Sequence, residues 1–162
     1  MERALKFLSE HKEVAFATVG GEGAPMPKLR VMQVMRQEGT ALYFATNEKK
    51  AVYRELCANP NVEVLAAAGY ISVRCAGIVN FHVEEEVKRW IYDHNDILSR
   101  LYESYDQMTY FCLPIAELDY YDLSPTPPLF LHFDLITGET GRGFVGTRFE
   151  KQQEKKVFRT TD

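Results

Sequence analysis

Between Val14 and Thr46 the chain returns three times to β-rich sequence, and the turns between the runs are too short to hold a helix. Residues 14–19 end at Gly20-Gly21-Glu22-Gly23, whose glycines suit a tight reversal. Residues 28–35 follow, then Gln37-Glu38-Gly39-Thr40 as a second turn, and residues 41–46 return as a third run. Hairpin-length turns force antiparallel pairing, so the three runs read as a meander.

Helices flank this pattern. Ala4, Phe7, Leu8 and His11 recur at helical spacing and predict a short amphipathic helix. A second helix runs from about 49 to 58, with Val52, Tyr53, Leu56 and Cys57 on one face, and Asn59-Pro60 stops it. Residues 61–67 and 70–83 read as strands. Glu84, Glu85 and Glu86 suit a helix start, and Val87, Trp90, Ile91, His94, Leu98, Leu101 and Tyr105 predict one long helix. Strands at 110–123 and 129–136 enclose Ser124 and a run of prolines that favours an extended crossing. The plan is a mainly β (α+β) antiparallel barrel of about six strands with helices outside, over residues 1–136. Residues 137–162, Gly-rich and then charged, read as a surface arm with a frayed end.

Composition narrows the function classes. The 162 residues, 46% hydrophobic and 26% charged, fit one domain with a core that needs neither disulfides nor a metal. Cys57, Cys75 and Cys112 are odd in number and far apart, so no disulfide framework follows. A net charge of −4 gives no nucleic-acid surface. Charges in residues 1–6 stand where a signal peptide needs apolar sequence, and no run approaches the roughly 20 apolar residues of a membrane span. A reduced cytoplasmic protein with no membrane partner is the expectation.

Few residues offer chemistry of their own. Ser72, Ser99, Ser104 and Ser124 lack a nucleophile elbow. His11, His82, His94 and His132 show no metal-ligand spacing, and His94 belongs to an apolar helical stripe. Gly141, Gly143 and Gly146 spell GxGxxG, but a dinucleotide fold needs a strand, a helix and a second strand around it. The residues up to Asp162 are too few, and the glycines read as a loop.

The informative stretch is 25–60. Arg30 stands inside a β-run, where a lone cation needs a partner. Lys49 and Lys50 open a helix, although helix starts prefer acids. A helix N-terminus offers free N–H donors, and with an arginine from the adjacent strand it makes a phosphate cradle. The other reading pairs Arg30 with a carboxylate such as Glu63 and leaves both lysines in water. The residues alone leave both open.

Leu29-Arg30-Val31-Met32-Gln33, Tyr43-Phe44-Ala45-Thr46, then Lys50, Val52, Tyr53, Leu56 and Asn59-Pro60, then Tyr70, Arg74 and Gly77 fall in a telling order. Over roughly residues 1–123 the chain resembles the pyridoxamine 5'-phosphate oxidase-like, FMN-binding split-barrel family. The resemblance implies FMN, with Arg30 and Lys50 on its phosphate, Thr46 and Asn47 nearby, and Val31, Met32 and Gln33 along the ring. Ala45 and Lys49 complete the candidate set, Lys49 standing where many relatives carry a hydroxyl. It also implies a homodimer with flavins at the interface, and an oxidoreductase passing hydride or electrons between a nicotinamide donor, NAD(P)H, and a small molecule. A non-catalytic FMN carrier or sensor, or a heme- or deazaflavin-binding module, is the alternative. The vitamin-forming oxidases end in an Arg-Leu-x-Pro type segment, and residues 155–162 have no equivalent, so a different reaction is expected. No side chain stands out as catalytic.

Overall fold

The computed structural model describes residues 1–20 and 25–143. Helix α1 (Glu2–Glu10) leads into a hairpin of β1 (Glu13–Gly20) and β2 (Met26–Gln33), followed by a second hairpin of β3 (Arg36–Glu38) and β4 (Ala41–Thr46). Helix α2 (Ala51–Ala58) then precedes β5 (Asn61–Ala68) and β6 (Ile71–Ile78). Helices α3 (Glu85–Asp93) and α4 (Asp96–Leu101) and a 3₁₀ turn (Tyr105–Gln107) connect to β7 (Thr109–Asp122), β8 (Leu129–Asp134) and β9 (Thr140–Arg142).

Every pairing is antiparallel, in the order β2-β1-β5-β6-β7-β4-β3, with β8 on β7 and β9 on β8. The sheet curls into a half-barrel with helices flanking it, which matches the expected split barrel. The described residues hold nine strands rather than six. Beyond the seven β-runs that the sequence marks, β3 and β9 are the additional strands, since three residues are too few to show a period of two. β9 also joins part of the expected arm to the sheet through His132 and Gly141, so Gly141 lies in a strand. Gly146 and the rest of that arm lie outside the described residues.

Two expectations are corrected. The third run of the meander, β4, does not return to β2 but pairs with β3 and with Thr109–Pro114 of β7. β2 ends at Gln33, and the Val34 N–H goes back to the Lys12 carbonyl, so the chain turns away before β4 begins. The long helix is broken at Asn95, whose side-chain amide donates to the Ile91 carbonyl at 2.5 Å. That carbonyl is the one a continuing helix reserves for the Asn95 backbone N–H, and the Asn95 backbone is extended instead. The apolar stripe is divided accordingly: Ile91 and Leu98 are buried, while Leu101 is exposed.

Alternation sets what is inside. Val14, Phe16 and Thr18 of β1 are buried, as are Val62, Val64 and Ala66 of β5. Phe16, Phe44 and Phe111 form the centre, with ring centroids 5.2 to 5.9 Å apart. A second cluster, including Ile91, Leu98, Met108 and Tyr110, sits under α3 and α4.

The other face follows from the same parity. In register across six strands lie Val31, Ala15, Leu65, Arg74, Asp119 and His132, and beside them Leu29, Ala17, Glu63, Ala76, Glu117 and Asp134. Leu29 and Val31 are 73% and 75% exposed, so the β2 end of this outer face is apolar surface.

The curl depends on one close approach. The register shifts between Ala76 and Gly77, and a Cβ at Gly77 would lie 2.3 Å from the Pro114 carbonyl oxygen. Gly77→Ala is expected to cost about 1–3 kcal/mol, because backbone rather than a side chain must give way. Urea unfolding measures it, and an unchanged midpoint would show that β6 and β7 are not held this tightly.

Candidate functional site

Arg30 lies opposite Phe16, so its side chain starts on the inner face of β2, where an unpaired cation is costly. Helix α2 supplies the partner. Glu55 Oε2 accepts hydrogen bonds from Arg30 Nη2 and from Thr18 Oγ1, each at 2.6 Å. Gly20 makes room, since a Cβ there would meet Glu55 Cγ at 2.9 Å. The Glu55 side chain is 13% exposed. Burial pushes its pKa up, but the bonds from Thr18 and Arg30 and the charges of Arg30 and Lys28 outweigh it, and the net shift is downward. Glu63 is not the partner of Arg30: it faces outward beside Ala17 and pairs with Arg74 at 2.6 Å. Strand parity separates the two.

The remaining predicted residues are distributed around this pair. Val31 and Gln33 are exposed on the outer face, while Met32 turns inward against the main core. Any contact of Met32 with a ligand on the outer face is therefore through its main chain. Ala45 packs on the second cluster. Thr46 is buried at the end of β4. The Asn47 side chain accepts the Lys49 N–H and its carbonyl accepts the Lys50 N–H, both at 2.9 Å, which turns the chain into α2. Lys49 and Lys50 are exposed. Lys50 is the N-cap, with no side-chain cap and no acid in the first turn, so the leading N–H groups of α2 have no side-chain acceptor. Glu55 lies one turn further along, which brings Arg30 against the same helix.

Four buried side-chain polar atoms lack a hydrogen-bond partner among the described residues: Arg30 Nη1, Gln37 Oε1, Thr46 Oγ1 and Tyr110 OH. Two of the four belong to predicted cofactor residues. Concavities of about 490 and 390 Å³ open elsewhere, and none of the nine predicted residues lines either one.

A polar cluster that the sequence did not disclose lies on the outer face. Arg74 bonds Asp119 and Glu63, with Glu117 at 3.8 Å, and His132 Nδ1 lies 2.5 Å from Asp119 Oδ1. A lone arginine in a β-run was the available signal, as it was for Arg30, but its main partner, Asp119, comes from a strand 45 positions away. Burial and then the charge of Asp119 push the nearby Cys75 thiol up to about 12, which removes it as a nucleophile. No group of metal-ligating side chains occurs among the described residues.

Comparison with known proteins places this geometry. The family model for pyridoxamine 5'-phosphate oxidase matches residues 1–111. The chain belongs to the pyridoxamine 5'-phosphate oxidase family. No curated protein matches the sequence. Among solved structures, a Clostridium acetobutylicum protein related to general stress protein 26 aligns with a TM-score of 0.67 at 16% identity, over 86% of this chain and 99% of that one. A pyridoxamine 5'-phosphate oxidase-related, FMN-binding protein of Nostoc punctiforme aligns with a TM-score of 0.64 at 13% identity, over 87% and 90%. A heme binding protein of Mycobacterium smegmatis aligns with a TM-score of 0.55 at 16% identity, over 72% and 52%. At such identities the likeness is one of fold.

Members of this family commonly bind FMN, and the residues present fit its phosphate in kind. The buried, unpartnered Arg30 Nη1, the unpartnered Thr46 hydroxyl and the uncapped start of α2 are donors without acceptors. Glu55 opposes them, since it already holds one amine of the same guanidinium.

Because the folded pKa of Glu55 lies below its ordinary value of 4.5, its contribution to stability is complete above that pH and fades as pH falls through the folded value. Glu55→Gln is expected to lose about 1 kcal/mol at pH 7, and the difference from the wild type should shrink as the pH is taken below 4.5. Urea midpoints across that range measure it, and a constant difference would show that the charge of Glu55 contributes nothing.

Proposed function

We propose that the chain is an FMN-binding flavoprotein, with the phosphate end at Arg30 and the start of α2 and the ring along β2. The observation that carries this reading is the buried Arg30 Nη1, a charged donor with no acceptor in a member of a family that commonly binds FMN. Lys49, Lys50 and Thr46 would add charge and a hydroxyl at the same end, and Val31 and Gln33 would meet the ring from the outer face. Bound FMN supplies hydride and electron transfer, and the protein contributes orientation and tuning. The fitting activity is that of an oxidoreductase between a nicotinamide donor and a small molecule.

A second copy of the chain completes the site in this reading. The apolar outer face at Leu29, Val31 and Leu65 adjoins the ring position, and apolar surface this exposed is what a second copy would cover. Light scattering is expected to give about twice 18.6 kDa. A mass near that of one chain with flavin bound would refute the shared site.

The heme reading draws on the Mycobacterium smegmatis neighbour, and the absorbance of purified protein separates the two: flavin bands for one, a Soret band for the other. Arg30→Ala is expected to weaken FMN binding about ten- to a hundredfold, as loss of a charge-assisted bond implies, while riboflavin responds little. Equal losses for both ligands would make Arg30 structural and the phosphate site misplaced.

A further inference from the structure

The Arg30–Glu55–Thr18 cluster carries a consequence for what the site prefers. A guanidinium recognises phosphate best through two parallel N–H bonds. Here Nη2 is committed to Glu55, so Nη1, buried and without a partner, is the one nitrogen left on that fork. Glu55 is not free to swing aside: the same oxygen holds Thr18, and its stem packs over Gly20. A phosphate at Nη1 would sit beside a fixed carboxylate on the neighbouring nitrogen of one planar group. Like charges at such range repel, and the low exposure of Glu55 limits screening by water. Lys49 and Lys50 offset this only partly, since exposed ammonium groups are hydrated and screened.

We infer that Glu55 is a built-in counterion that limits what the phosphate adds to binding, so that the site holds riboflavin, which lacks the phosphate, nearly as well as FMN. The inference rests on the flavin reading above and deepens it from FMN alone to flavins with or without the 5'-phosphate. Its effect is electrostatic. Thr18 and Gly20 fix the carboxylate in place, and the charge sets the preference.

Wild type, Glu55→Gln and Thr18→Val are titrated with FMN and with riboflavin, following flavin fluorescence. In the wild type the two affinities should lie within about fivefold. Glu55→Gln keeps an acceptor for Arg30 and removes the charge, so FMN binding should tighten about tenfold while riboflavin changes less than twofold. Thr18→Val keeps the charge and removes one of the bonds that hold the carboxylate in place, so it should tighten FMN binding less than Glu55→Gln does. Inorganic phosphate, read as a shift in thermal midpoint, should stabilise Glu55→Gln more than the wild type whether or not any flavin binds. Failure of every protein to bind either flavin, with the phosphate difference intact, overturns the flavin reading and leaves Glu55 as the counterion. FMN binding unchanged or weaker in Glu55→Gln, or tightened equally by Thr18→Val, overturns the inference itself.

Discussion

Fourteen residues of β7 carry hydrogen-bonded partners for most of the sheet: β4 along Thr109–Pro114, and β6 and β8 along the remainder. A strand of that length in a curled sheet must bend, and the register shift opposite Ala76 and Gly77 is where it does so. The consequences reach the site. By holding β4, β7 fixes where Thr46 ends and α2 begins. By holding β6, it fixes the row that runs back through β5 and β1 to Arg30's strand. Arg30 and α2 therefore approach each other from opposite ends of one continuous hydrogen-bonded path.

Much of this was legible in the sequence, and the limits have physical causes. Strands β1, β2 and β4 announced themselves as β-rich runs separated by turns too short for a helix. β3 and β9 did not, being shorter than one repeat of a usable pattern. The pairing of β4 with β7 was invisible because strand partners far apart in the chain leave no local trace. The break at Asn95 had a signal, an asparagine within an apolar stripe, but the stripe was read as continuous. Arg30 was legible as a cation in need of a partner. Its partner was not, because choosing Glu55 over Glu63 requires knowing which face each strand residue occupies, and one residue of register decides that. Asp119 and His132 escaped for the same reason.

Arg30 and Arg74, each set within a long strand, show how differently one residue type is used. Arg74 faces outward among Asp119, Glu63 and Glu117. Burial works against its charge, but the hydrogen bond and charge of Asp119 and the charges of the two glutamates more than restore it, and its pKa is raised. Its hydrogen bonds are made within the sheet. Arg30 faces inward with one carboxylate and one nitrogen to spare. The first arrangement closes a surface network, and the second leaves a donor waiting. That contrast, more than the presence of arginine, sets β2 apart from β6.

β2 also stands at the end of the described sheet, with β1 as its sole strand neighbour there. An open strand edge is a template on which another extended chain can add itself, and proteins must discourage this. Pro27 has no N–H to offer such a strand, and Lys28 is an exposed charge beside it. These two residues make the first half of the edge a poor template. Leu29, Arg30 and Val31 restore a full set of backbone donors and acceptors further along. The place on this edge where an extended peptide would register best is thus the place where the arginine side chain is already tied down.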